Sequence, residues 1–234
     1  MDEPRSLVAG GVGQFLRRWY GLVPAASSGA VPVGFAVPSE LADWHAVTAR
    51  ATVPVTFQDH PIAFADLSPD PDGMLTFWVE NQHGYFWAVD LKDPQRRVFC
   101  REVASDEWEP AGEDLRRFLL HGTLREAIFG ADKKFTVFVD DSLVDDALES
   151  FSVLDFPALA GEEPGTKIWS SVDALARVGA PPAGYDRPGE QLQMITIAVP
   201  NDTSIETYGS RFGLEISDEA VTLPVEIPYE PPPF

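Results

Sequence analysis

One cysteine, Cys100, is present in 234 residues. A single thiol excludes an internal disulfide framework and a cysteine-built zinc cluster, and it fits a reducing compartment. Cations are scarce too: 17 Lys plus Arg stand against 37 Asp plus Glu, a formal net charge of −20. That balance works against sequence-independent binding to nucleic acid or to an anionic membrane, because phosphate affinity comes mostly from cationic side chains displacing counterions. A basic protein partner is the electrostatic match. Long apolar runs are missing as well, with nothing near the roughly 18 residues of a spanning helix. The opening Met1-Asp2-Glu3-Pro4-Arg5 has neither the basic nor the apolar region of a secretory signal. These absences predict a soluble cytoplasmic protein. The length accommodates one large or two small domains, and 44% hydrophobic residues suffice for a core.

What is there reads as α+β, a mostly antiparallel sheet packed by helices, with a second acidic α+β half. Residues 7–20 carry Leu7, Val8, Val12, Phe15, Leu16 and Trp19 at helical spacing, weakened by Gly10, Gly11 and Gly13. Pro38-Ser39-Glu40-Leu41 reads as a helix start with Leu41, Trp44 and Val47 on one face. Residues 52–57 and 62–64 read as short strands. The clearest stretch lies between Met74 and Glu102, where Pro69-Asp70-Pro71-Asp72-Gly73, His83-Gly84 and Asp93-Pro94 punctuate three β-rich runs. Those runs, residues 74–79, 85–90 and 97–101, predict an antiparallel meander with Trp87 in the core. Residues 113–129 then show the strongest helical period in the chain, with Phe118 inward and Gly130 as a stop.

Beyond Gly130 the charge shifts. The first 139 residues hold 13 basic and 19 acidic residues, whereas residues 140–234 hold 4 and 18, a net −14. Residues 141–151 read as a short acidic helix with Leu143, Val144, Ala147, Leu148 and Phe151 inward. Residues 166–169 and 194–199 read as strands around a helical turn at 172–178. Residues 224–234, with five prolines, read as an extended tail. The expected organisation is a domain over residues 6–130, an acidic extension over 131–223 packed on it, and that tail.

Chemistry is thinly signalled. Gly10-Gly11-Val12-Gly13 follows no strand and lacks the Lys and Ser/Thr of a phosphate loop, so it reads as helix packing or fraying. Asp66, Asp70 and Asp72 beside Gly73 are interrupted by Pro69 and Pro71 and lack the spaced Glu of a calcium loop; they read as a surface turn. His45, His60, His83 and His121 show no metal-binding spacing. Cys100, at an apolar strand position, reads as a buried inert thiol. The aromatics Phe77, Trp78, Tyr85, Phe86 and Trp87 read as core before they read as a ligand groove. No catalytic, metal or cofactor-binding residue is assigned, and an enzyme is not expected. The densest charge, Asp140, Asp141, Asp145, Asp146 and Glu149, is the candidate partner-binding cluster.

The order Phe15-Leu16-Arg17-Arg18-Trp19-Tyr20-Gly21, Val37-Pro38-Ser39-Glu40-Leu41-Ala42-Asp43-Trp44-His45, Phe77-Trp78-Val79-Glu80-Asn81-Gln82, Phe86-Trp87-Ala88-Val89-Asp90, Trp108-Glu109-Pro110 and the helix over 115–129 resembles bacterial members of the SUKH superfamily, the Smi/Knr-like proteins. The likeness spans residues 6–130. It departs at Val47-Thr48-Ala49-Arg50, where many relatives carry an Asn-Gly-Gly-like turn. The resemblance implies a protein-binding α+β domain and, for many bacterial members, an immunity protein that neutralises a polymorphic toxin such as a nuclease in the cytoplasm. An acidic inhibitor steers onto the basic surface that a nucleic-acid-cleaving toxin needs. A scaffold or regulatory module, like the fungal members, stays open. So does an enzyme using the aromatic groove with Glu80 or Asp90.

Overall fold

In the computed structural model, which describes residue 8 and residues 10–23, 34–185 and 191–216, turn chemistry fixes where the chain reverses. Asp70 Oδ1 accepts hydrogen bonds from the N–H groups of Asp72, Gly73 and Met74, and Gly73 takes φ +97°, a left-handed conformation that glycine adopts without steric cost. That turn launches the meander. Strands β1 (His60–Pro61), β2 (Met74–Val79), β3 (Tyr85–Asp90), β4 (Arg97–Glu102) and β5 (Glu109–Asp114) form one antiparallel sheet in sequence order. A register shift between Thr76 and Trp78 turns consecutive residues Phe77 and Trp78 inward together, and both rings contact Phe118.

Helices α1 (Val12–Tyr20), α2 (Ser39–Thr48) and α3 (Leu115–Gly130) pack with this sheet. Asp114 caps α3 by accepting from the Arg117 N–H at 2.9 Å. Gly122 lets α3 approach the sheet closely, since a Cβ there would lie 3.2 Å from Trp78 Cζ2. A second antiparallel sheet follows, in the order β6 (Lys133–Asp140), β10 (Leu192–Val199), β9 (Leu175–Gly179), β8 (Lys167–Ser170) and β7 (Ser152–Leu154). Two short helices, α4 (Val144–Ala147) and α5 (Glu206–Arg211), complete the described chain. The class is α+β. Helix α3 touches both sheets, which explains why its residues are buried on every side, from Phe118 and Leu119 to Ala127 and Ile128. Leu159, Ile168, Leu175 and Ala198 of the second half join the same apolar core as Phe15 and Trp87.

Trp44, Trp87 and Phe118 are 3%, 2% and 0% exposed, as their periodic positions predict. Several boundaries differ from the sequence reading. Residues 52–57 form no strand, because the N–H groups of Phe57 and Gln58 are taken by the Glu126 carboxylate and not by a neighbouring strand. Residues 62–64 give way to the two-residue β1 and a 3-10 turn at Phe64–Asp66. Glu113, expected to start the helix, lies in strand β5, which Pro110 and Gly112 conceal in the sequence; as the last strand of its sheet it tolerates both. The expected turn at 172–178 is instead strand β9, the central strand of its sheet and paired on both sides, so ladder bonds override the helix preference of its Ala, Leu and Arg. Strand β6 has no counterpart in the sequence reading. The acidic helix at 141–151 shrinks to a 3-10 turn, Asp141–Leu143, and the single turn of α4. Its start is diverted by Asp140, whose carboxylate accepts from both the N–H and the hydroxyl of Ser142. The glycines at 10 and 11 lie ahead of α1, at φ +93° and +78°. Residues 224–234 lie outside the described residues.

Candidate partner-binding site

Every carboxylate of the proposed cluster is exposed. Strand β6 delivers Asp140 to the edge of the second sheet, opposite Leu192, and the 3-10 turn and α4 then present Asp141, Asp145, Asp146 and Glu149. The turn is anchored from below by Val144, Leu148 and Phe151, all buried in the second apolar cluster. Asp141 Oδ1 accepts from Gln193 Nε2 at 3.0 Å, which ties the turn to β10. Hydrogen bonds from Ser142 hold the Asp140 carboxyl below the usual carboxylate range. Among the described residues none of the five makes an ion pair, so their charge faces solvent uncompensated. Leu143 corrects the sequence reading: it points outward, 53% exposed, and lies between Asp141 and Asp145 along the chain. An exposed apolar side chain within an acidic stretch of chain is a recognisable contact feature, and periodicity could not show it because the helix it was assigned to does not form.

Glu80, Asp90 and the aromatic run, the open enzyme alternative, are placed as follows. Glu80 Oε2 accepts from the N–H groups of Gln82 and Gly84, and Asp90 Oδ1 accepts from that of Lys92, so both carboxylates shape turns. Phe77, Trp78 and Trp87 are core. Burial and then the neighbouring Glu109 charge push the Cys100 thiol up to about 11, which keeps it protonated at neutral pH. His60 and His83 face each other with ring centroids 5.9 Å apart, while His45 packs edge-on against Trp44 and Phe64. Among the described residues no group of three or more His, Cys, Asp and Glu side chains could hold a metal ion. The glycines at 10–13 line a groove of about 600 Å³ between α1, α2 and α3. Glu40 and Asp43 share it with Arg50 and Arg116, a mixed wall unsuited to phosphate.

Two buried polar constellations escaped the sequence. His121 Nδ1 lies 3.0 Å from Glu113 Oε2, with the imidazole stacked on Phe156 at 4.3 Å. The pair spans the junction of β5 and α3, so its spacing has meaning only once that junction is known. In the second constellation Arg125 reaches Asp59 at 2.8 Å, Glu126 at 3.2 Å and Glu162 at 3.0 Å, and Arg177 reaches Glu162 at 3.4 Å. Burial pushes the Glu126 carboxyl above the usual range, although the N–H groups of Phe57 and Gln58 act in the opposite direction. A carboxyl whose pKa is raised by folding contributes stability that is fully present below its unfolded value, about 4.3. That contribution is lost as pH rises through the folded value. Urea midpoints of the wild type and Glu126→Gln, compared across pH, should therefore show the wild-type advantage shrinking as pH rises from about 4.3. A difference independent of pH would show that Glu126 titrates alike in the folded and unfolded chains.

No protein-family model matches the chain, and no curated protein matches it. No helix among the described residues is long and apolar enough to cross a membrane.

Proposed function

We propose that this chain is a non-enzymatic protein-binding module of the SUKH, Smi/Knr-like type, an immunity protein that neutralises a basic toxin domain in the cytoplasm. The observation that carries the reading is the uncompensated acidic turn of Asp140, Asp141, Asp145, Asp146 and Glu149 around the exposed Leu143. The order of helix, helix, antiparallel meander and helix over residues 12–130 agrees with the resemblance. A toxin that cleaves nucleic acid must present a cationic face, and an acidic rim meets it with complementary charge. Rim charge acts mainly on the association rate, whereas a desolvated apolar anchor governs dissociation.

Co-expression with the product of an adjoining secreted-toxin gene tests the function. A stable complex and restored growth are expected; the absence of a complex with any adjoining gene product overturns the reading. With the partner in hand, converting the five carboxylates to Asn and Gln should slow association by about tenfold at low salt and flatten its dependence on ionic strength. The fold should survive, because the five are exposed. An association rate equal to that of wild type at low and moderate salt would leave the turn a merely solvated surface.

A further inference from the structure

Among the described residues the two sheets have four edge strands, and three of them are blunted against pairing with another chain. Strand β1 has two residues and β7 three, while β5 is interrupted by Pro110 and Gly112. Strand β6 is the fourth, and its eight residues, Lys133–Asp140, contain neither proline nor glycine. Its middle, Phe135-Thr136-Val137-Phe138-Val139, is of the β-branched and aromatic types that favour strands, and its charges stand only at its ends. The pairing with β10 decides which residues turn their main chain off that edge. Asp141 N–H donates to Gln191 O at 2.7 Å, and the register continues to set these two residues opposite each other, so they form a hydrogen-bonded pair. Such pairs alternate along an antiparallel ladder. The odd-numbered residues of β6 therefore spend their main-chain groups on β10, and Lys134, Thr136 and Phe138 turn theirs outward. The 2.9 Å contact between the hydroxyls of Thr136 and Thr196 agrees, since facing side chains come closest in a pair without hydrogen bonds. Among the described residues the outward N–H and C=O groups of Lys134, Thr136 and Phe138 meet no partner.

A strand that fits this edge must bring free main-chain groups at the same alternate spacing and its charges in the opposite order. A second β6 does both. In an antiparallel pair of two copies centred on Val137, Thr136 of one faces Phe138 of the other, so residues with outward main-chain groups meet and exchange hydrogen bonds. The same register sets Lys134 opposite Asp140 and Lys133 opposite Asp141, at both ends by symmetry. Moving the centre to Thr136 or Phe138 instead sets Asp140 opposite Asp132 or Thr136, so charge selects one register. Lys134 Nζ already donates to Phe129 O, which leaves two of its three donors for a carboxylate. On the other face of the strand Phe135 is buried in the second apolar cluster, with Val137 and Val139 partly buried against it. Pairing these three with Val139, Val137 and Phe135 of a second copy continues that apolar layer across the edge.

We propose that β6 is a self-association edge: two copies of this chain join their second sheets through an antiparallel β6 pair about a two-fold axis at Val137, making one ten-stranded sheet of two five-stranded ones. The inference goes beyond the toxin-neutralising reading and does not depend on it. Asp145, Asp146 and Glu149 lie outside the paired strands, so the dimer carries one acidic turn at each end of the β6 pair. Sedimentation velocity over a micromolar concentration series should show a species of twice the mass of one chain. Asp140→Lys should raise the dimer dissociation constant by about tenfold, because an attractive cross-strand pair becomes repulsive at both ends. Lys134→Asp should do the same, and the two substitutions combined should restore the wild-type constant, which a merely local effect of either would not do. Cross-linking tests the register separately. In a Cys100→Ser background Val137→Cys should form an intermolecular disulfide on mild oxidation, since facing Cα atoms in a pair without hydrogen bonds lie about 4.5 Å apart, within disulfide reach. Thr136→Cys, which faces Phe138 and not itself, should not. A chain that stays monomeric throughout the series, a dimer unmoved by the charge substitutions, or a Val137→Cys protein that does not cross-link overturns the proposal. The first of these leaves the edge to a strand of another protein or to residues 217–234. Failure of the co-expression test, by contrast, overturns the toxin-neutralising function and leaves the dimer standing.

Discussion

Trp87→Ala should lower the free energy of unfolding by about 3 to 5 kcal/mol, read from urea denaturation at neutral pH. The indole sits on the inward face of the sheet, 2% exposed, packed 5.7 Å from the Phe118 ring and 6.4 Å from that of Tyr85. Truncation removes the burial of a large aromatic and leaves a cavity that strands β2 and β4, paired on either side, cannot close. Trp87→Phe separates packing from hydrogen bonding. It retains much of the ring and deletes an indole N–H that has no partner among the described residues, so it should cost much less. The same exchange at Trp78 should cost more than at Trp87, because Trp78 Nε1 donates to Asp59 Oδ2 at 3.0 Å and its loss leaves that buried carboxylate oxygen to Arg125 alone. A Trp87→Ala protein as stable as wild type would place the indole at the surface and contradict the packing of the whole sheet.

The parts of this fold legible in the sequence are those governed by neighbours along the chain. Asp70 and Gly73 make their turn with local atoms, and the runs on either side of His83-Gly84 are short, apolar and rich in aromatics between turn residues, so the meander could be read directly. Helix α3 could be read from its period, yet its burial on all sides could not, since the second sheet that covers it is assembled from strands distant in sequence. Strand β9 illustrates the limit. Leu175-Ala176-Arg177-Val178 favours a helix locally, and only its pairing with both β8 and β10 makes it a strand. The acidic turn was legible as a concentration of charge, which survives the loss of the helix assigned to it. The outward Leu143 was not, because its direction depends on where the chain folds back.

Arg125→Ala should be as damaging as Trp87→Ala, with a loss of about 3 to 5 kcal/mol at neutral pH, for an electrostatic reason. Its guanidinium, largely buried, bridges Asp59 ahead of the meander, Glu126 on its own helix and Glu162 in the second half, and lies 5.0 Å over the Phe129 ring. Truncation leaves three buried carboxylates in place of a network, with Arg177 in reach of Glu162 alone. An uncompensated buried charge costs more than the pair was worth, since the penalty is desolvation with nothing to offset it. Glu126, whose carboxyl burial already raises and Arg125 holds down, can escape its stranding only by taking up a proton, so its folded pKa rises further in the variant. By the same linkage as at Glu126, the stability deficit of Arg125→Ala should be largest at neutral pH and shrink as pH falls towards about 4. A cavity alone would leave a deficit independent of pH. Arg177→Ala is the internal control: its contact with Glu162 is longer, at 3.4 Å, and its Nε has no partner among the described residues, so its loss should be the smaller of the two. Equal and pH-independent losses for the two variants would show that Arg125 acts through its hydrocarbon stem, and that the three carboxylates are hydrated well enough to stand without it.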